Sequence, residues 1–235
     1  MKIQTIISAL FIQLFLMTQL GFSQDNYTVK GKIEGWPTET VYLVRQGNYP
    51  GVDSVATTDG SFQFSGSIPG ATAAYLITKK KSGVAKLLYV EPGNISINGN
   101  FDDFKNVQVK GSQTYNDFLE LRAGHEKYDQ EMSKYVQLQF TTEDSTVLKQ
   151  YYKSLDSLSL LDIEFSKEFI KKHPNSIISV SEIQTLSNSL LNTELTALFN
   201  SLSLYIKESP EGVLLSENLP LMGRDKQEEE EIEGQ

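Results

Sequence analysis

The sequence predicts an α+β chain: an N-terminal antiparallel β-sandwich or small barrel over residues 24–111, followed by a helical hairpin or bundle over residues 112–222. Three observations predict it. Between Tyr27 and Val109 apolar residues recur at every second position, with breaks at glycine, proline and asparagine. After Gly111 the apolar period lengthens to three and four residues. The chain has no cysteine, and 39% of its residues are hydrophobic, so a buried core rather than disulfides must hold the fold.

The strand grammar begins with Tyr27, Val29 and Ile33, which alternate with Thr28, Lys30 and Lys32. Val41 and Leu43 continue it between Gly35-Trp36-Pro37 and Gly47-Asn48-Tyr49-Pro50. These flanks read as loops, because proline cannot donate to a ladder and glycine relaxes φ. Asp59-Gly60 lies between Val55-Ala56-Thr57 and Phe62-Gln63-Phe64, a hairpin signature in which both central residues take positive φ. Segments 74–78, 86–90, 95–97 and 107–109 complete seven or eight strands.

A long helix is expected where Tyr115, Phe118, Leu121, Arg122, His125, Tyr128, Met132 and Tyr135 form one stripe. Thr141-Thr142-Glu143-Asp144 marks the start of a second, with a threonine oxygen as its cap. Its stripe is Val147, Tyr151, Leu155, Leu158, Asp162, Phe165 and Phe169, and Pro174 ends it after Lys171-Lys172-His173. A third helix is expected over 179–191, opening with the capping-box spacing Ser179 to Glu182. A fourth begins near Asn192 and buries Leu195, Leu198, Phe199 and Leu202.

At the N-terminus Lys2 precedes an apolar run from Ile6 to Met17 that closes with Gly21-Phe22-Ser23, the pattern of a signal peptide cleaved after Ser23. The protein is therefore expected in the periplasm or secreted, with no stable membrane insertion after cleavage. Loss of Lys2 takes the formal charge from −9 to −10, and so acidic a chain repels phosphate backbones, which argues against nucleic acid as a partner. Residues 223–235 carry five glutamates and a single isoleucine among the apolar types, the composition of a disordered tail. Lys79-Lys80-Lys81 reads as a solvated turn.

Chemistry-bearing motifs are scarce. His125 and His173 fall on different helices without an HExxH, an HxH or a cysteine, so a zinc site has too few ligands. His125 reads as packed among aromatics, and His173 as a helix C-terminal cation. Gly60-Ser61 and Gly66-Ser67 sit at expected turns rather than at a nucleophile elbow. Asp102-Asp103 and Glu143-Asp144 read as turn and cap residues, since glycoside hydrolysis needs carboxylates opposed across a cleft. GxxxxGK[ST] and GxGxxG are absent. No catalytic, cofactor-binding or metal-ligating residue is nominated, and no cofactor is expected. Trp36, Tyr42, Tyr49, Tyr75 and Tyr89 are read first as packing residues, with loop aromatics that bind a peptide or glycan as the sharper alternative.

One resemblance runs through these motifs. Lys30-Gly31-Lys32-Ile33, Val41-Tyr42-Leu43, Asp53-Ser54, the run Asp59 to Gly66, Tyr89-Val90-Glu91-Pro92-Gly93 and His173-Pro174-Asn175-Ser176 follow in an order similar to that of one family. The chain resembles the domain of unknown function that precedes the redox domain in periplasmic thioredoxin-like, AhpC-TSA-type thiol-disulfide oxidoreductases of Gram-negative bacteria. That family's redox pair is a Cys-x-x-Cys in its C-terminal domain; this chain has no cysteine, so no redox residue carries over. Gly234-Gln235 stands where the linker to such a domain would begin. The resemblance implies an exported, non-catalytic binding or adaptor module with a protein or peptide client in the cell envelope. The alternatives are an envelope hydrolase with a dispersed Asp/Glu site and a truncated remnant without function.

Overall fold

A computed structural model describes residues 26–79 and 83–224. The expected signal peptide, the glutamate run and Lys80-Lys81 lie outside the described residues. Among the described residues eight strands come first: β1 (Asn26–Glu34), β2 (Thr40–Arg45), β3 (Gly51–Ala56), β4 (Ser61–Ser67), β5 (Thr72–Thr78), β6 (Ala85–Val90), β7 (Gly93–Asn100) and β8 (Gln108–Lys110). They make two four-stranded sheets, ordered β4-β1-β7-β8 and β3-β2-β5-β6. The architecture is thus the sandwich of the two forms expected. Inward residues of both sheets, among them Val29, Ile33, Leu43, Leu76, Leu88, Ile95 and Ile97, share one core.

The pairing departs from expectation in one place: β1 and β7 run parallel, with Val29 beside Ile95 and Gly31 beside Ile97. Every other pair is antiparallel. A parallel pair needs a long crossover between its members. Here the excursion through the second sheet supplies it, a connection that alternation within single segments does not encode.

The Asp59-Gly60 turn forms, but it is not the hairpin expected. Asp59 and Gly60 take φ of 51° and 72°. Thr58 and Ser61 exchange hydrogen bonds of 3.0 and 2.8 Å across them. Beyond this single bridge the strands diverge, β3 pairing with β2 in one sheet and β4 with β1 in the other. Thr57 explains the divergence: fully buried, it donates its hydroxyl to the Pro37 carbonyl at 2.7 Å and its N–H to the Glu39 carbonyl at 2.8 Å. That anchor draws β3 away while Phe62 and Phe64 of β4 turn into the core. Gly60 closes the corner by accepting the Ile33 N–H at 2.9 Å. A Cβ at Gly60 would overlap the Ile33 carbonyl as well as strain the positive φ. Gly60→Ala is therefore expected to cost about 1–3 kcal/mol, measured by urea denaturation. A neutral result would show that the corner relaxes freely.

Among the described residues six α-helices follow: α1 (Gln113–Gln139), α2 (Ser145–Lys172), α3 (Ile177–Thr185), α4 (Asn192–Ser201), α5 (Leu204–Lys207) and α6 (Pro210–Asn218). α1 and α2 form the expected hairpin, each about 40 Å long at 1.5 Å per residue. Phe165 of α2 covers Gly124 of α1 so closely that a Cβ there would overlap its ring. Asp144, rather than a threonine, caps α2, accepting Thr146 N–H at 2.8 Å. The third helix is shorter and earlier than expected, and its cap is Ser176 rather than Ser179. Ser179 instead donates to the His173 carbonyl at 2.7 Å, and Glu182 faces a histidine. α4 begins at Asn192 and buries Leu195, Leu198 and Phe199, as the sequence pattern requires. Gly223 and Arg224 fold back on this bundle, with Arg224 N–H donating to the Leu190 carbonyl at 2.9 Å.

The helices pack on the sandwich at the start of α1. Tyr115 belongs to the sandwich core, and Phe118 lies 5.7 Å from the Tyr89 ring of β6. The Glu91 carboxylate accepts from the Gln113 and Thr114 N–H groups and from the Thr114 hydroxyl. A β-corner acid thus fills the cap of the helix it supports.

Candidate functional site

The structure separates the residues singled out by sequence. Trp36 is buried at the end of the sandwich, stacked on Phe101 at 5.3 Å with Phe62 and Phe104 edge-on. Tyr89 lies under Phe118, and Tyr42 lies beneath the Lys79 ammonium at 5.4 Å. These aromatics are packing residues. Asp103 accepts from the Asn106 amide at 2.7 Å, and Asp144 holds helix N–H groups. Gly66-Ser67 ends β4 rather than occupying a turn, with Gly66 against the Tyr27 ring.

Each of the two histidines lies among the first three helices with a carboxylate near both ring nitrogens. His125 Nδ1 meets Asp162 Oδ1 of α2 at 2.7 Å, and Nε2 meets Glu182 Oε1 of α3 at 3.3 Å. Its ring edge also meets Phe165, with centroids 5.5 Å apart, as the aromatic-packing expectation has it. Glu182 and then Asp162 push the His125 pKa up to about 9 against the opposing effect of burial. The raised pKa favours the imidazolium at neutral pH, in which both ring nitrogens are donors facing carboxylates. His173 caps α2, stacks on Phe169 at 4.4 Å and meets Asp117 at 3.2 Å and Glu120 at 3.3 Å, both from α1. Two histidine–carboxylate clasps thus join α1, α2 and α3. Among the described residues no group of three or more His, Cys, Asp or Glu is placed to hold a metal ion.

A cleft of about 340 Å³ lies where the two modules meet. Its sandwich wall comes from three connections: Tyr49 between β2 and β3, Pro69-Gly70-Ala71 between β4 and β5, and Glu91-Pro92 between β6 and β7. Its helical wall comes from Asn175 and Ile177 at the start of α3 and from Tyr205, Glu208 and Pro210-Glu211 across α5 and α6. Tyr205 donates to the Pro69 carbonyl at 3.4 Å, bridging the walls. The two phenols converge: a Cβ at Gly70 would lie 3.6 Å from the Tyr49 hydroxyl and 3.7 Å from that of Tyr205. Burial, then Glu211 and Tyr205, push the Tyr49 pKa up, so that its hydroxyl stays a neutral donor. Local chemistry sets the helical wall. Ser209 caps α6 by accepting the Gly212 N–H at 3.1 Å, with Pro210 in the first turn where its missing N–H costs nothing.

Of this cleft, Tyr49 alone stood among the sequence candidates. Tyr205 and Glu211 lie more than 150 positions further on, at the ends of short helices whose periodicity is weak. Glu91-Pro92, noted only within a family-like motif, is the shared element that supports the helices and lines the cleft.

Residues 27–118 match the family model DUF4369, described as a domain of unknown function. The match covers the sandwich and reaches Phe118, the α1 residue seated on Tyr89. No curated protein and no solved structure matches the chain. Among the described residues no helix is long and apolar enough to cross a membrane.

Proposed function

We propose that the chain is an exported, non-catalytic binding or adaptor module, the N-terminal accessory region of a thioredoxin-like cell-envelope protein, which holds a protein or peptide client in the cleft between its modules. The observation that carries this reading is the cleft itself. Its volume suits a peptide side chain with flanking backbone, and its walls include two tyrosines and three prolines, residues that offer contact area with little entropy to lose. The signal-peptide pattern and the order of motifs support the compartment and the family setting. A hydrolase reading finds less support here, because both Glu91 oxygens are engaged at the start of α1.

A displayed random 12-residue peptide library, selected on the purified chain, tests the proposal. Enriched peptides should bind in fluorescence anisotropy, and Tyr49→Ala with Tyr205→Ala should weaken them at least tenfold while the circular dichroism spectrum holds. Selection that enriches nothing, or peptides that bind the double variant equally well, would sink it.

A further inference from the structure

We propose that the inter-module cleft selects a cationic side chain, lysine or arginine, on a peptide client. The inference rests on the binding reading above and goes beyond it by naming what the cleft recognises. Glu91, Glu208 and Glu211 line the cleft, and among the described residues no lysine, arginine or histidine lines it with them. Glu91 is engaged at the start of α1, which leaves Glu208 and Glu211 to face a ligand. Among the described residues no cation of the chain stands within ion-pair distance of either one. Elsewhere in the helical bundle some acids are paired with cations: Glu194 meets Lys167 at 2.9 Å, and Glu120 meets Lys172 at 2.7 Å.

The aromatic pair makes this more than a negative patch. Tyr49 and Tyr205 converge over Gly70, whose lack of a side chain leaves room between them and the acids. A guanidinium or ammonium set against a phenol face and a carboxylate gains from the ring quadrupole and from charge-assisted hydrogen bonds together. Pro69, Pro92 and Pro210 border the same space and give an extended peptide rigid, apolar edges. The chain's overall charge of −9 adds long-range attraction for such a client.

Isothermal titration of the full chain with capped Gly-Pro-Xaa-Pro-Gly peptides, Xaa being Arg, Lys, Gln or Glu, tests the proposal. The Arg and Lys peptides should bind at least tenfold more tightly than the Gln peptide, and the Glu peptide most weakly. Glu208→Gln with Glu211→Gln should shrink the Arg-over-Gln ratio to below threefold, and raising the salt should do the same for the unaltered chain. Arg and Gln peptides that bind alike, with binding lost in the tyrosine double variant, would remove the charge preference and leave the binding reading intact. A charge preference that survives the double glutamine variant would place recognition elsewhere and overturn the proposal. Failure of all four peptides to bind would also overturn it, and library peptides would then show whether the cleft binds anything else.

Discussion

Trp36→Ala should be the most damaging single substitution in the sandwich, lowering stability by about 4 kcal/mol. The indole is 3% exposed and is the hub of an aromatic plug, with Phe62, Phe101 and Phe104 all within 5.4 Å of its centroid. Removing it leaves a cavity ringed by three phenylalanines on strands and turns that cannot all move inward, so little of the lost contact is recovered. A polar loss accompanies this. The indole N–H donates to Glu39 Oε1 at 2.6 Å, and that oxygen also accepts from the Thr78 hydroxyl at 2.5 Å. Trp36→Phe keeps much of the ring packing and loses the donor, and should cost about 1–2 kcal/mol. Urea unfolding followed by far-ultraviolet circular dichroism measures both; with a slope of about 2 kcal/mol/M, the alanine variant's midpoint falls by about 2 M. A fall of less than 0.5 M, by the same slope about 1 kcal/mol, would mean that the plug is not the keystone its geometry implies.

The same plug shows what the sequence made legible. Strand positions and inward faces followed from alternation, because a half-buried strand leaves that imprint on every second residue. The stripe of α1 and α2 was equally plain, but the ion pair of His125 with Asp162 across the hairpin was not, since the spacing within each stripe does not say which positions of the two helices face each other. Which sheet each strand joins was not legible. Asp59-Gly60 marks a turn of a particular handedness, and that turn serves a hairpin or a corner alike until a residue such as Thr57 anchors one arm elsewhere. Pairing of β1 with β7 joins residues more than 60 positions apart, a distance at which local patterning is silent. The cleft was hidden for the same reason. It forms where three sandwich connections meet two short helices, so its geometry exists only once both modules are docked through Tyr115 and Glu91.

His125 should make the chain lose stability as solution turns alkaline. Glu182 and Asp162 raise its pKa from 6.5 to about 9, so the folded state holds a proton that the unfolded chain releases near 6.5. A raised pKa stabilises fully below the unfolded value, and the stabilisation is lost as pH climbs through the folded value. The window is therefore pH 6.5 to about 9. The full difference corresponds to about 3 kcal/mol; water reaches part of the imidazole and reduces this to about 2 kcal/mol. Unfolding free energy measured from pH 6.5 to 9.5 should fall by that amount, whereas His125→Gln should show a much flatter profile. At neutral pH the variant should already be about 2–3 kcal/mol less stable, because the Glu182 side chain, 6% exposed, loses its counter-charge. Adding Glu182→Gln removes the stranded carboxylate and should restore about half of the loss, a coupling that a mere packing defect at His125 would not produce. An unaltered alkaline slope in the variant would assign the titration to another group and reduce the clasp to a packing contact, with α3 held on the hairpin chiefly by Phe169 and Ile178 beside Leu121.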